Sequence, residues 1–219
     1  MIIDCIGCLH GAQPKLEGGD LLIVTGDLTA NDHVNEYLAF HDWIGKQSYA
    51  LKVVIAGNHD NILQNTLGFS GKHLPFTYLC DSGTEFEGLK IWGSPWTAQF
   101  KGINPKCCAF TVPFGPDMED RLKDTWRLIP SDTDILITHS PAYGILDGIP
   151  SEDGSLFHVG SKSLQMELFE RLNPKLFVHS HIHEAYGIEP TGGFVQTAVN
   201  CSIMNERYKP VNKPVRIVL

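Results

Sequence analysis

Short runs of apolar and mostly β-branched residues recur along the chain at wide spacing. They occupy residues 1–6, 21–25, 53–56, 135–138 and 176–178. A continuous apolar run of this length is typical of a strand that is buried on both faces. The pattern therefore predicts five buried strands.

Longer segments between these runs carry apolar residues three and four positions apart, which is the helical spacing. They cover residues 33–46, 116–127 and 161–172, and Asp or Ser stands near their starts. Strands that alternate with helices in this way indicate an α/β layered fold.

Two further regions predict meandering strands broken by Gly, Pro and other turn residues. One is residues 76–93, and the other is the tail with segments 185–188, 193–197 and 215–218. We therefore expect a four-layer α/β/β/α sandwich of two mixed β-sheets flanked by helices. No linker composition is apparent, so residues 1–219 are predicted to form a single domain.

Composition and charge narrow the class of protein. A formal net charge of −8 and a sequence pI near 5.6 disfavour binding of extended nucleic acid, although a nucleotide-sized ligand is still allowed. No apolar run reaches the roughly 20 residues that cross a bilayer, and the first residues do not resemble a leader. With six cysteines interpreted as reduced thiols, we expect a cytoplasmic protein.

Side chains that can bind metal follow each of the five predicted buried strands. The clusters are Cys8-Leu9-His10, Gly26-Asp27, Gly57-Asn58-His59-Asp60, Thr138-His139-Ser140 and Ser180-His181-Ile182-His183. The carboxyl ends of strands in α/β sheets are where sites form. We therefore expect one metal site at that edge.

Each cluster alone has a structural interpretation: His-x-His can be structural, and Gly-Asn-His-Asp can be a turn with a helix cap. The adjacent Cys107 and Cys108 have no metal-ligand spacing and are interpreted as semi-buried. Together, imidazoles with one carboxylate and one amide oxygen suit Mn, Fe, Zn or Ni. Asp27 is the candidate bridge between two ions about 3.5 to 4 Å apart.

The clusters resemble the motif series of the calcineurin-like metallophosphoesterase superfamily, which runs D-x-H, G-D, G-N-H-D, H and G-H-x-H. The matches are Gly26-Asp27, Gly57-Asn58-His59-Asp60, His139 and His181-Ile182-His183, in the right order. The chain is also similar to the metallophosphoesterase-domain-containing, fetal-brain 239-like phosphodiesterase branch. The segments that carry this narrower likeness are His139–Asp147, His181–Glu184, Gly93–Trp96 and Asn205–Tyr208.

The resemblance implies two divalent metal ions, with manganese the first choice and iron, zinc or nickel the others. One ion would be held by Cys8, His10, Asp27 and His183, and the other by Asp27, Asn58, His139 and His181. A hydroxide between the ions would attack a nucleotide-type or cyclic nucleotide phosphodiester. His59, oriented by Asp60, would be the general acid.

Two positions depart from the motif series. Cys8 stands where the first motif has Asp, and it is either a softer ligand or a lost one. Asp4 is no substitute, because it lies roughly 13 Å upstream within the strand. Ser180 stands where the last motif has Gly and adds a hydroxyl near the metals.

Other functions share these residues. A phosphomonoesterase, including a protein phosphatase, uses the same metal chemistry, and a nearly inactive nucleotide-binding protein is the alternative of a different class. Trp96, Phe100 and Tyr143 lie near the motif loops, where they can stack on a nucleobase or cover the core. The expected partner is a small phosphate ester, and the oligomeric state is left open.

Overall fold

Two β-sheets form the centre of the protein. The computed structural model describes residues 1–65, 74–100, 106–151, 153–191, 193 and 195–219. The first sheet has the strand order β15-β1-β2-β3-β4. Its strands are β1 (Ile2–Ile6), β2 (Gly19–Thr25), β3 (Tyr49–Ile55), β4 (Thr77–Tyr78) and β15 (Val215–Val218). Strands β1 to β4 are parallel, whereas β15 runs antiparallel to β1.

The second sheet has the order β13-β14-β12-β9-β6-β5. Its strands are β5 (Ser82–Phe86), β6 (Leu89–Ser94), β9 (Ile135–Thr138), β12 (Leu176–His179), β13 (Gly187–Glu189) and β14 (Thr197–Asn200). The four inner strands are parallel, and β5 and β13 pair antiparallel at the edges. Both sheets are therefore mixed, as predicted.

Four helices and two small strand pairs complete the described residues. The helices are α1 (Val34–Gly45), α2 (Asn61–Asn65), α3 (Met118–Trp126) and α4 (Lys162–Glu170), and a 3-10 turn spans His183–Ala185. The small pairs are β7 (Thr97–Ala98) with β8 (Thr111–Val112), and β10 (Gly148–Pro150) with β11 (Leu156–His158). Helix α4 begins where the predicted one does, because the Ser161 hydroxyl accepts the Leu164 N–H and caps it.

Three apolar layers hold the sandwich together, because residues of the strands alternate between the two faces. Ile23 and Ile137 pack in the layer between the sheets. Leu22 faces α1 on the outside of the first sheet, and Phe177 packs against α3 and α4 outside the second. The predicted four-layer α/β/β/α architecture is confirmed.

Two predicted strands in the tail are displaced. Residues 185–188 were expected to be extended, but the 3-10 turn takes up the first of them and β13 starts at Gly187. The strand expected at 193–197 begins only at Thr197, because Gly193 lies in a bend; residues 192 and 194 lie outside the described residues. All six cysteines are free. Within the described ranges, no helix has the length and apolar character needed to cross a membrane.

Candidate dinuclear metal centre

The loops that follow five central strands bring the predicted site residues together at one edge of the sandwich. Each metal-capable side chain lies within four residues of the end of its strand. The residues of the first sheet are Cys8 and His10 after β1, Asp27 after β2, and Asn58 and His59 after β3. Those of the second sheet are His139 after β9, and His181 and His183 after β12.

Three overlapping groups of these residues can hold a metal ion. Within each group the candidate ligand atoms lie within 4.8 Å of one another. The groups are Cys8 with His10 and His183, His10 with Asp27 and His59, and Asp27 with His139 and His181. Asn58 joins the last group, because its Oδ1 lies 3.0 Å from His139 Nε2. Asp27 and His10 each belong to two groups, which fits a pair of neighbouring ions.

The backbone at this edge adopts conformations that side chains rarely tolerate. Cys8, His10, Asp27 and His181 have left-handed φ values of 47°, 42°, 52° and 70°. Each such backbone conformation destabilises the folded state by about 1–3 kcal/mol, and it persists only where the surrounding fold enforces it. Their concentration at one edge marks it as a functional site.

Backbone carbonyls fix the orientation of two histidines. Nδ1 of His139 faces the Thr25 carbonyl at 2.8 Å, and Nδ1 of His183 faces the Asn205 carbonyl at 3.0 Å. Because a carbonyl oxygen only accepts a hydrogen bond, both Nδ1 atoms carry the proton. The lone pair of each Nε2 atom is therefore left to coordinate a metal. This arrangement is usual for histidine ligands of metals.

Other buried ring nitrogens lack a hydrogen-bond partner among the described residues. Both ring nitrogens of His10 and the Nε2 of His181 are buried without a hydrogen bond. Burial lowers the pKa of His10 to about 3, so its ring is neutral and can bind a metal. An unsatisfied buried imidazole is costly in a folded protein. These residues therefore fit metal ions.

Asp27 lies between candidate metal ligands that come from the first sheet and from the second. Its Oδ2 is 3.6 Å from His10 Nε2 and 3.5 Å from His139 Nε2, while its Oδ1 accepts the His59 N–H at 2.9 Å. Burial would raise the pKa of Asp27, but the surrounding histidines, His139 above all, lower it well below its usual value. The same pairing overcomes the effect of burial on His139 and raises its pKa to about 9.

Cys8 occupies the position at which the first motif of the family has Asp. It is buried, and its Sγ accepts the His181 N–H at 3.1 Å and the Ser202 hydroxyl at 3.5 Å. Burial, followed by the charge of Asp27, raises the pKa of Cys8 to about 11. Asp4, in contrast, is held within the first sheet by Arg216 at 2.8 Å.

Asp60, which was expected to orient His59, forms its hydrogen bonds with backbone groups of the neighbouring loops. The two Asp60 oxygens share the backbone N–H of Leu28, and one of them also accepts that of Gly57 at 2.9 Å. The buried carboxylate thus joins the loops after β2 and β3, and no hydrogen bond between the described residues joins it to the His59 ring. Burial raises the pKa of Asp60 to about 7, with the charge of Asp27 adding to the effect.

Cys107 lies beside the His59 ring. Its Sγ lies 3.4 Å from His59 Nδ1, and its carbonyl accepts the Asn58 side-chain amide at 3.4 Å. The interpretation of Cys107 as a semi-buried residue was right about its burial but missed this contact. Cys108 is exposed.

A cleft of about 340 Å³ opens over the metal-capable residues. One wall is apolar and contains Ile149 and Phe157 from the β10–β11 hairpin. Tyr208 forms another wall, with its ring centroid 4.9 Å from that of His10 and 5.0 Å from that of His183. Sequence reasoning assigned these three residues no role, although Tyr208 belongs to the Asn205–Tyr208 segment of the resemblance.

Of the three aromatic residues that could stack on a nucleobase, only one lines the cleft. Phe100 lines the cleft and stacks on the His181 ring with centroids 5.3 Å apart. Trp96 donates its Nε1–H to Asp81 instead, and Tyr143 lies beneath Lys162. Neither of these two rings is among the residues that line the cleft.

The remaining polar residues at the end of β12 have separate roles. His179 is fully buried and belongs to none of the three metal-capable groups. The Ser180 hydroxyl, which replaces the Gly of the motif, donates to the Thr25 carbonyl at 3.0 Å. It therefore shares that carbonyl with His139 and joins the two sheets behind the site.

Comparisons with known proteins agree with this geometry. Residues 3–185 match the family model described as calcineurin-like phosphoesterase. Metallophosphoesterase domain-containing protein 1 of Homo sapiens is 36% identical, over 98% of this chain and 70% of its own length. A UPF0046 protein of Caenorhabditis elegans is 34% identical, over 96% of this chain and 58% of its own length.

The fold is also found in a solved structure. The phosphopantetheinyl hydrolase PptH of Mycobacterium tuberculosis superposes with a TM-score of 0.58 at 14% identity, covering 97% of this chain and 95% of that one. The family match, the relatives and the metal-capable groups lead to the same conclusion. The chain belongs to the calcineurin-like phosphoesterase family and is a metal-dependent phosphoester hydrolase.

Proposed function

We propose that the protein is a phosphodiesterase that hydrolyses a nucleotide-type phosphodiester. The observation that carries the proposal is the lining of the cleft, which holds the carboxylates Glu184 and Glu206 and, within the part of the chain that the structure describes, no Lys or Arg. A monoester carries close to two negative charges at neutral pH, whereas a diester carries one. A cleft with this charge therefore favours the diester.

The apolar wall supports the same choice. Ile149, Phe157 and Val159 present hydrophobic surface beside the metal-binding residues, and Phe100 adds an aromatic ring. A diester has an ester group on each side of its phosphorus, and a planar group such as a nucleobase is stabilised by burial against such a wall. A nucleotide-type substrate, linear or cyclic, is the class that we propose.

We further propose that two divalent ions occupy the site, with manganese the first candidate. One would be held by Cys8, His10, Asp27 and His183, and the other by Asp27, Asn58, His139 and His181. Bound ions would supply charge to neutralise the phosphate and would lower the pKa of a bound water. This arrangement is supported by Asp27 and His10, because each of them belongs to two of the metal-capable groups.

His59 is the proposed general acid. Its ring lines the cleft, and its centroid is 4.4 Å from that of His10. An imidazole holds a proton near neutral pH and can pass it to the ester oxygen that leaves. Asp60 would act at a distance, because its hydrogen bonds hold the loop from which His59 projects.

The test compares bis-p-nitrophenyl phosphate with p-nitrophenyl phosphate after the protein is stripped of metal and reloaded with Mn, Fe, Zn, Ni or Mg. Bound metal is counted in parallel. We expect two equivalents of metal and a kcat/KM at least about tenfold higher for the diester. Asp27→Asn should lose metal and turnover, whereas the control Asp124→Asn, on the exposed face of α3, should keep both.

Either of two results would overturn the proposal. A higher kcat/KM for the monoester would identify a phosphomonoesterase. Two bound metals without turnover of either compound would identify a binding protein.

A further inference from the structure

A second cleft of about 620 Å³ lies beside the first, on the other side of His59. The two clefts share two lining residues, His59 and Cys107. A phosphate placed against His59 would therefore lie at the border of both clefts. The second cleft has no part in the proposed chemistry described above.

The two clefts differ in chemistry. The first has the apolar wall described above, whereas the second is lined mainly by polar side chains: Asn31, Asp32, His33, Asn61 and Lys106. The contrast matters because amides and an ammonium group bind hydroxyl and other oxygen-rich groups, and they offer little to an aromatic ring.

Some of these polar groups already have partners. One Asp32 oxygen accepts the Tyr37 hydroxyl at 2.6 Å and the Ile62 N–H at 3.0 Å. The Asn61 amide donates to the Lys106 carbonyl at 3.1 Å, which fixes the backbone at Lys106. This side of the cleft is therefore preorganised.

Other polar groups are free to bind a ligand. Among the described residues, the Asn31 side-chain amide and the Lys106 ammonium group form no hydrogen bond or ion pair with one another or with any other side chain. Both offer hydrogen-bond donors, and Asn31 also offers an acceptor. They suit an uncharged group that carries several hydroxyls.

From this geometry, and resting on the proposed phosphodiesterase activity, we infer that the second cleft is a substrate subsite. It receives the polyhydroxylated ester group of a linear phosphodiester, while the apolar cleft receives the other ester group. The phosphate lies between them at His59. The substrate class is thus a linear diester that joins an alcohol bearing an aromatic group, such as a nucleoside, to a polyol.

The inference separates linear diesters from cyclic ones. In a cyclic phosphodiester both ester oxygens belong to the same sugar, so one compact group carries both. Such a molecule can fill one cleft but cannot extend from His59 into both. The chain should therefore hydrolyse linear diesters with the higher kcat/KM.

The experiment uses two substrates that differ only in hydroxyl groups, p-nitrophenyl glyceryl phosphate and p-nitrophenyl propyl phosphate. Each has the same aromatic ester group and a three-carbon second arm. Two hydrogen bonds to the glyceryl hydroxyls would contribute about 1.4 kcal/mol, which corresponds to about a tenfold preference in kcat/KM. We expect most of this preference to appear in KM.

Two variants test whether the preference for the glyceryl substrate arises in the second cleft. Lys106→Ala and Asn31→Ala should each lower the glyceryl to propyl ratio to about threefold, and the double variant should bring it close to one. Each variant is judged by this ratio, so that a general change in activity, which affects both substrates, cancels. Lys15→Ala is the matched control, because Lys15 is an exposed lysine in the loop before β2 and lines neither cleft.

The outcomes separate this inference from the proposed function. Equal kcat/KM for the glyceryl and propyl substrates, with bis-p-nitrophenyl phosphate still hydrolysed, would overturn the second subsite and leave the phosphodiesterase standing. A glyceryl preference that the two variants do not change would also overturn it. If the metal-loaded protein hydrolysed no diester at all, the proposed function and the subsite would fall together.

Discussion

Gly57 keeps a narrow space open between the two halves of the metal centre. A Cβ atom at this position would lie 2.3 Å from Asp27 Oδ1 and 2.6 Å from His139 Cε1. Contacts this short force the neighbours to move. Since Asp27 and His139 come from different sheets, the displacement would separate ligands of the same metal-capable group.

We therefore expect Gly57→Ala to bind fewer than two equivalents of metal and to lose at least about a hundredfold in turnover, since small misplacements of a reacting group have effects of this size. Metal counting and hydrolysis of bis-p-nitrophenyl phosphate measure both changes. Gly45→Ala is the control, because a Cβ there meets only Pro75, at 3.6 Å. Full metal content in Gly57→Ala would show that the site tolerates the shift.

Cys107 is expected to act through His59 as a positioning residue. Without its thiol, His59 Nδ1 loses the group that lies 3.4 Å away, so the ring is free to turn away from the leaving oxygen. Diphenyl phosphate releases phenol, which is a more basic leaving group than p-nitrophenol and needs protonation more. We expect Cys107→Ala to lower kcat about tenfold for diphenyl phosphate, with KM and the hydrolysis of bis-p-nitrophenyl phosphate little changed.

Cys107→Ser keeps a hydrogen-bonding group at the same position and should restore most of the lost kcat. Equal losses on both substrates would argue for a general structural role of the thiol instead. Cys108→Ala, which changes the exposed neighbouring cysteine, is the matched control.

The metal-capable residues could be predicted from the sequence because each follows directly after an apolar run. The contact between Cys107 and His59 could not be predicted, because the two residues are 48 positions apart and no motif contains both. Asp60 is a different case. The resemblance implied that Asp60 orients His59, but it could not show that the buried carboxylate accepts the backbone N–H groups of Gly57 and Leu28.

At the scale of elements, the β10–β11 hairpin supplies part of the apolar wall. Phe157 lines the cleft although 68% of its surface is exposed, and the adjacent Leu156 is 60% exposed but does not line it. Successive residues of a strand point to opposite faces, so the two side chains form a natural comparison.

We expect Phe157→Ala to raise KM for bis-p-nitrophenyl phosphate about fivefold, since an aromatic contact contributes about 1 kcal/mol. Leu156→Ala should leave KM unchanged. Both variants should unfold at nearly the wild-type temperature, because exposed substitutions change stability little. A similar KM in Phe157→Ala and wild type would place the aromatic group of the substrate elsewhere.

The elements that sequence patterns predict well are those that are buried on both faces. Strands β1, β2, β3, β9 and β12 have such apolar runs, and all five were predicted. The β10–β11 hairpin has none, because none of the residues in its two strands is buried. The strand expected at 193–197 was displaced for a related reason, since Gly193 permits a bend ahead of β14.

At the scale of the whole molecule, Arg216 joins the last strand to the first. Its guanidinium donates to both Asp4 oxygens at 2.8 Å and to Glu17 at 2.9 Å. Asp4 is buried and also accepts the Tyr49 hydroxyl. A buried carboxylate that loses its partner is destabilising.

Arg216→Ala should therefore lower the free energy of unfolding, because it leaves the buried Asp4 carboxylate without its cationic partner. Urea denaturation measures the change. The double variant Asp4→Asn with Arg216→Ala should regain part of the loss, because the remaining side chain is uncharged. Metal content should stay at the wild-type value, since neither residue belongs to a metal-capable group.

The division of the metal-binding residues between two sheets also limits how the molecule can move. His139 and Ser180 from the second sheet both donate to the Thr25 carbonyl at the end of β2 in the first. Any sliding of one layer over the other would shift these donors and spread the two sets of ligands. In sandwich proteins such shear is a common route of conformational change. In this molecule it would separate the two sets of metal-capable residues, so we expect substrate entry to depend on the loops and the hairpin around the clefts.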